Sequence, residues 1–248
     1  MHFPSTQVRA RPLICGAAGI LATILPPVTG AAAQGRLEAQ YVATLAGLPI
    51  GKGGWTISMG DERYSAVVNG GTTGLLKAFA GATGSGAAQG RVVNGQLVPV
   101  NYVVSTTSRK KTETIRINLA GGNVRDFSIE PEEEPNPDRI PVTEAHKRGV
   151  LDPMTASLLR VPGTGNPLSP DACQGVTSIF DGRMRYELRL AYKRMETIKA
   201  KGYQGPSVVC ALYFTPVAGY VPDRTAIKYL AAQRDIEVWF APIAGTRL

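Results

Sequence analysis

The chain has 248 residues, with 27 Lys and Arg against 19 Asp and Glu, so its formal net charge is +8 at pH 7. This length is ample for one β-rich domain with a buried core, and the charge favours polyanions such as lipid headgroups, lipopolysaccharide or acidic glycans. No apolar run reaches the roughly 20 residues that a membrane-spanning helix needs, which argues against stable transmembrane anchoring.

The N-terminus has the pattern of a secretory signal peptide. Arg9 and Arg11 precede an apolar run at residues 13–25, and Ala31-Ala32-Ala33 supplies small residues for cleavage near Ala33. The sequence therefore predicts a signal peptide at residues 1–33 and a single β-rich domain at 34–248.

Two alternatives to a cleaved signal are weaker. The apolar run is too short for an uncleaved anchor, and a lipoprotein signal would need a small residue where Ile14 precedes Cys15. Cleavage removes two arginines and no acids, so the formal charge falls to +6. A periplasmic location follows, and export argues against nucleic acid as a partner.

The mature chain keeps two cysteines, Cys173 and Cys210. An even count in an oxidising compartment predicts a disulfide, and closing this interval would stabilise the fold by roughly 4 kcal/mol on the loop-entropy model. A redox-active pair is the alternative, but such pairs usually have closer spacing, as in Cys-x-x-Cys. We therefore predict a structural bridge that pins a loop onto the sheet.

Apolar and polar residues alternate along much of the chain, as expected for antiparallel strands with one buried face. The clearest segment is 183–192. The buried-face sets in chain order are Leu37, Ala39, Tyr41, Ala43 and Leu45; Ile115, Ile117 and Leu119; Met184, Tyr186, Leu188, Leu190 and Tyr192; and Ile236, Val238 and Phe240. The chain is predicted to be mainly β.

Turn residues separate these segments. Asn94-Gly95 and Asp181-Gly182 favour the positive dihedrals of two-residue hairpins, and Gly121-Gly122 is predicted to turn one strand into the next. The stretch 130–141 is rich in glutamate and proline, lacks periodicity and is predicted to be an exposed loop. Residues 162–170 form a second predicted loop.

Two short helices are predicted to cover the buried face of the sheet. The first spans 73–79, and the second spans 152–160 with Asp152 as its cap and Pro153 in the first turn. The small residues of 81–90 are predicted to form a sheet segment that packs close to the helix at 73–79.

Several motifs together resemble the DUF3108 family of exported proteobacterial proteins. They are the opening pattern at 41–51, Asp152-Pro153-Met154-Thr155, the segment at 180–188 and the segment at 210–220. The resemblance covers most of residues 37–245. It implies an envelope protein without an established activity, built as a curved or spiral antiparallel sheet around a helix, similar to lipoprotein carriers of the LolA and LolB type. Such proteins continue into another strand where this chain stops, so either the sequence is truncated or its sheet ends early.

The residues give no pattern for catalysis, a cofactor or a metal. His146 lies in a polar stretch without a Gly-x-Ser-x-Gly elbow, and one histidine with a bridged cysteine pair cannot complete a zinc site. Glu132, Glu133 and Glu134 are interpreted as solvated acids, with weak calcium binding as the alternative. Residues 47–53 lack the spacing of a phosphate loop.

Two surfaces remain as candidates for binding. A curved sheet could hold an acyl chain in a cavity. The simpler interpretation is that the two helices fill this space. The candidates for lining the cavity are Tyr41, Met184, Tyr186, Leu188 and Tyr192. The opposite face could dock an anionic partner or could merely be solvated. Its residues are Arg183, Arg185, Arg189 and Lys193.

We therefore expect a non-enzymatic periplasmic protein that supports cell-envelope integrity by binding an envelope lipid, a lipoprotein or another periplasmic protein. The competing hypothesis is an envelope hydrolase that acts on cell-wall glycan or lipid. The lack of a nucleophile and base pattern argues against it.

Overall fold

The computed structural model describes residues 35–45, 47–74, 77, 81–109, 111–158, 168–200 and 203–241. The signal peptide prediction lies outside these residues, as does most of the helix predicted at 73–79. The strands are β1 (Gly35–Leu45), β2 (Leu48–Met59), β3 (Arg63–Thr72), β4 (Ala82–Val93), β5 (Gln96–Ser108), β6 (Lys111–Ala120), β7 (Asn123–Glu130), β8 (Val176–Phe180), β9 (Arg185–Ala200), β10 (Tyr203–Ala218) and β11 (Glu237–Phe240).

Strands β1 to β7 form one antiparallel sheet, in which each strand pairs with its neighbours in the chain. Asn94 and Gly95 turn β4 into β5 with φ of 49° and 71°, and Gly121 and Gly122 turn β6 into β7 with φ of 59° and 75°. Glycine and asparagine adopt this region readily. Both predicted hairpins are confirmed.

Strands β8 to β11 form a second antiparallel sheet in the order β11-β10-β9-β8. The predicted two-residue turn at Asp181-Gly182 is wrong in length, since four residues join β8 to β9. The Asp181 carboxylate explains the longer turn, because its Oδ1 accepts hydrogen bonds from the backbone N–H of Arg183 at 2.8 Å and of Met184 at 2.7 Å.

The prediction of a mainly β, antiparallel fold is confirmed, but the strands form two sheets where a single sheet was expected. The reason is the segment between β7 and β8, which contains a 3₁₀ turn at Glu144–Lys147 and no strand among its described residues. A short bridge joins the two sheets: Val150 N–H donates to Gly122 O at 2.8 Å, and Leu151 N–H donates to Ser178 O at 2.9 Å.

The main core lies on one face of the large sheet, where helix α1 (Pro153–Ala156) covers it. Asp152 caps this helix as predicted, although the helix ends at Ala156 and not at 160. A Cβ at Gly86 of β4 would lie 3.2 Å from Met154 Sδ, so the small residues of β4 let a helix approach closely. The buried core consists of Ile57, Ala66, Ala88, Tyr102, Ile115, Ile117, Leu119, Val150, Met154 and Phe180.

A disulfide joins Cys173 to Cys210, with 5.4 Å between the Cα atoms. Cys173 ends a 3₁₀ turn at Pro170–Cys173, and Cys210 lies in the middle of β10. Both cysteines are buried beside Val208. The prediction that a bridge pins a loop onto the sheet is therefore confirmed.

The helix at Thr225–Ala232, here α2, was missed by the sequence analysis. It lies between β10 and β11 and buries none of its residues fully. An exposed helix of this kind gives only a weak apolar periodicity.

Candidate binding site

A cavity of about 630 Å³ opens between β7, the loop at 131–143 and the turn that joins β8 to β9. We call it the acidic pocket, because four glutamates and two arginines line it. Its lining residues are Phe127, Ser128, Ile129, Glu130, Glu132, Glu133, Glu134, Pro135, Asn136, Arg139, Val142, Gly182 and Arg183.

Arg183 holds the loop in place through two carboxylates. Its guanidinium forms a bidentate pair with Glu113 of β6, with N–O distances of 2.9 and 2.5 Å, and its Nε donates to Glu133 at 2.7 Å. Arg139 donates to the other oxygen of Glu133 at 2.7 Å. A bidentate arginine fixes both distance and plane, so this network orders the wall of the pocket.

Backbone contacts attach the same loop to the end of β10. Arg139 donates to the carbonyl of Gly219 at 2.8 Å. Gly219 N–H donates to Ile140 O at 2.7 Å, and Ile140 N–H donates to Tyr220 O at 2.9 Å. These bonds leave the loop little freedom relative to β10, so the pocket has a defined shape before any partner binds.

The pocket combines an apolar floor with a negatively charged rim. Phe127, which is 40% exposed, packs edge-on against Phe180 with 5.3 Å between ring centroids, and Lys147 Nζ lies 5.6 Å from the centroid of its ring. The pairing with Arg183 and Arg139 lowers the pKa of Glu133, so this carboxylate stays ionised. Glu132 and Glu134 are exposed and have no ion-pair partner in the described part of the chain.

A buried polar cluster lies under the core helix. Asp152 is 0% exposed, and its Oδ1 accepts the backbone N–H of Met154 at 3.0 Å and of Thr155 at 2.9 Å. The Thr155 hydroxyl lies 2.6 Å from Tyr64 Oη. The Asp152 Oδ2 is buried without a hydrogen-bond partner among the residues described. Burial raises the pKa of Asp152, and hydrogen bonds from Thr155 and Met154 oppose the rise.

This cluster gives a prediction for the dependence of stability on pH. The folded pKa of Asp152 lies above its ordinary value of 3.8, so between these two values the folded state binds more protons than the unfolded state. The contribution of Asp152 to the free energy of unfolding therefore falls as pH rises above about 4. Asp152→Asn lacks this contribution, so we expect its free energy of unfolding, measured by urea unfolding from pH 4 to 7, to rise with pH relative to that of the unchanged protein.

Asp152→Ala serves as the matched variant for the same measurement. Like Asp152→Asn, it removes the titrating carboxyl group, but it also deletes the helix cap. We therefore expect its free energy of unfolding at pH 7 to be lower by about 1–2 kcal/mol, a loss that Asp152→Asn does not show. A stability difference between Asp152→Asn and the unchanged protein that stays constant from pH 4 to 7 would contradict this account of the cluster.

The structure spreads the predicted cavity-lining residues over both sheets, and none of them lines the acidic pocket. Tyr41 is on β1 of the large sheet and is 57% exposed, whereas Tyr192 is on β9 and is 45% exposed. Tyr186 is half-buried, with its ring 5.4 Å from that of Phe214. Met184 and Leu188 are also half-buried.

The four predicted docking cations have contacts of their own. Arg183 belongs to the acidic pocket, and Arg185 donates to Ser178 Oγ at 2.7 Å. Arg189 lies 4.2 Å from the centroid of the Tyr213 ring, and Lys193 forms an ion pair with Glu237. They therefore do not form one unpaired cationic surface.

Glu113 and Arg139 were missed by the sequence analysis, although they help to build the pocket. Arg139 follows the glutamate run at 132–134 within the predicted loop, which is a local signal for a paired cation. Glu113 stands 70 residues from Arg183 in the chain, so nothing local could connect them. His146 caps a 3₁₀ turn, where its Nδ1 accepts the N–H of Thr143 at 3.1 Å.

Two kinds of feature are absent from the described residues. In this part of the chain no group of three or more His, Cys, Asp or Glu residues is placed to hold a metal ion. No helix among the same residues is both long and apolar enough to cross a membrane.

The fold and the pocket define a mainly β protein, built from two antiparallel sheets, with a charged pocket where a loop meets the turn between β8 and β9. The chain belongs to the DUF3108 family, described as "Protein of unknown function", whose model matches residues 40–248. Neither the curated proteins nor the solved structures give a match to this chain.

Proposed function

We propose that this is an exported, non-catalytic protein that supports the cell envelope by holding a basic segment of another envelope protein in the acidic pocket. The observation that carries the proposal is the pocket itself, in which two unpaired glutamates, Glu132 and Glu134, lie beside an apolar floor on a fixed frame. Preorganised sites of this kind lose little entropy when a ligand binds.

The charges favour a cationic ligand. The pocket lining carries a net charge of −2, although the whole chain is positive. Lysine or arginine side chains of a partner would pair with Glu132 and Glu134 at the rim, while an apolar side chain covers the part of Phe127 that Lys147 leaves exposed. A volume of about 630 Å³ is within the range of small ligand sites and suits a few side chains of a peptide.

The disulfide supports export. Cys173 and Cys210 are bridged inside the domain, and such bonds persist in oxidising compartments such as the periplasm. The signal peptide pattern at residues 1–33 points to the same location. An envelope protein with a basic, amphipathic segment would therefore be available as the partner.

The proposal predicts that the folded protein binds a short peptide of alternating lysine and leucine. We expect Glu132→Gln/Glu134→Gln to weaken this binding by about three- to tenfold, because exposed charge pairs contribute up to about 1 kcal/mol each. Isothermal titration calorimetry at low salt measures the effect, and the affinity of the unchanged protein should fall as salt rises.

Asp61→Asn/Glu62→Gln is the matched control, since it removes two exposed carboxylates of the β2–β3 turn, outside the pocket. It should bind the peptide almost as well as the unchanged protein. Equal losses in both double variants would contradict the proposed site. Turnover of cell-wall fragments by the same preparation would favour the competing hypothesis of an envelope hydrolase.

A further inference from the structure

The strand order places three loops of the large sheet at one end. They are the loops that join β1 to β2, β3 to β4 and β5 to β6. The β3–β4 loop lies between Thr72 and Ala82, and the β5–β6 loop lies between Ser108 and Lys111. The cross-strand pairs Gly51–Thr72, Gly71–Thr83 and Ala82–Ser108 confirm that these strand ends are level. We call the part of this end from β1 to the β5–β6 turn the basic end of the large sheet; its exposed cations among the described residues are Lys52, Lys77, Arg109 and Lys111.

The β1–β2 hairpin exposes four large apolar side chains at this end. Tyr41 is 57% exposed, and Val42, Leu45 and Leu48 are each 66% exposed. Tyr41 and Val42 are consecutive in a strand, so they point to opposite faces of the sheet. The apolar tip is therefore a projection exposed on both sides, and such a cluster marks an interaction surface.

The charge at the basic end has one sign, and the acids at this end of the sheet begin only with Glu113 of β6 and Glu130, which pairs with Thr114 at the β7 edge. The sequence contains no Asp or Glu from Ala39 to Gly60, and none from Arg63 to Thr112. Asp61 and Glu62 lie in the β2–β3 turn, at the opposite end of these strands. None of the four exposed cations has an ion-pair partner within the described residues.

We propose that the basic end of the large sheet docks on an anionic lipid surface, with the hairpin tip in the interfacial layer and the cations against the headgroups. A fluid interface can surround a projection from both sides, whereas a folded partner would need a matching socket. Apolar burial and attraction to anionic headgroups add together in interfacial binding. This docking goes beyond the proposed function, because the acidic pocket adjoins β7, at the other edge of the sheet.

The test is co-sedimentation of the folded, disulfide-bonded protein with vesicles. The protein should bind vesicles of equal parts phosphatidylglycerol and phosphatidylcholine at least about tenfold more tightly than vesicles of phosphatidylcholine alone. Leu45→Ser/Leu48→Ser and Lys52→Gln/Lys111→Gln should each reduce binding to the anionic vesicles several-fold. Raised salt should weaken the binding of the unchanged protein.

Val176→Ser is the control, because Val176 is 54% exposed on β8 of the other sheet. It should bind the anionic vesicles as the unchanged protein does, and thermal unfolding should show that all variants remain folded. The proposal is overturned if the unchanged protein does not bind anionic vesicles, or if both tip and charge variants bind as well as it does. The acidic-pocket variants remove negative charge at the β7 edge and should not weaken vesicle binding, so the two proposals can fail separately.

Discussion

Replacing Gly219 by alanine is expected to lower the free energy of unfolding by more than about 3 kcal/mol. Gly219 has φ of +80°, and an added Cβ would overlap the carbonyl oxygen of Arg183, with the Arg183 carbonyl carbon only 2.8 Å away. Backbone blocks the position on that side, so the end of β10 or the β8–β9 turn must move. Urea unfolding of Gly219→Ala measures the loss.

Gly121→Ala is the matched control for this substitution. Gly121 also has positive φ, +59°, but an added Cβ would meet nothing within 4 Å. It should lose only the roughly 1–2 kcal/mol that left-handed backbone costs an L-residue. Similar losses at the two glycines would show that the close approach to Arg183 contributes nothing. Because Gly219 also accepts from Arg139, we expect Gly219→Ala to weaken peptide binding, which Gly121→Ala should not do.

Removing the disulfide is the second change with a large expected effect. Cys173 and Cys210 are separated by 37 residues, and a loop of this length corresponds to roughly 4 kcal/mol of unfolding free energy on the loop-entropy model. We expect Cys173→Ala/Cys210→Ala to lose about 2–4 kcal/mol, since measured values are often smaller than the model gives. Chemical denaturation of the oxidised protein provides the reference.

Reduction of the unchanged protein with dithiothreitol separates the bridge from the packing of the two side chains. The reduced protein should lose most of the stability that the double alanine variant loses. Full stability after complete reduction would show that the bond does not brace the second sheet.

The local parts of the fold could be predicted from the sequence. Period-two alternation and the Asn94-Gly95 and Gly121-Gly122 pairs depend only on neighbouring residues, and they identified strands and hairpins correctly. The two cysteines of the predicted mature chain also gave the right bridge, because only one pairing is possible between them. The similarity to LolA- and LolB-type carriers stays a prediction.

The division into two sheets could not be predicted in this way. It depends on the segment around Val150 and Leu151, which bonds to Gly122 on one side and to Ser178 on the other. These backbone bonds carry no side-chain signature. The turn after β8 differs from a two-residue hairpin for a related reason, since the Asp181 side chain bonds to backbone that a simple Asp-Gly pattern does not specify.

The binding site was harder to predict than the fold. The alternation pattern assigned Arg183 to a solvent face beside Arg185, whereas the structure pairs it with Glu113 and Glu133 at the pocket wall. Such ion pairs join residues far apart in the chain, so periodicity cannot identify them. The sequence indicates solvated acids at 132–134, with weak calcium binding as the alternative, and it gives no sign of the pocket because the apolar floor comes from β7.

The central claim, that the acidic pocket binds a basic segment, is tested most directly by mapping where the lysine–leucine peptide contacts the protein. Backbone amide chemical shifts recorded during a titration should change at residues 127–142 and at Gly182 and Arg183, while the β1–β2 hairpin stays unchanged. Shifts confined to other surfaces, or no shifts at saturating peptide, would contradict the claim.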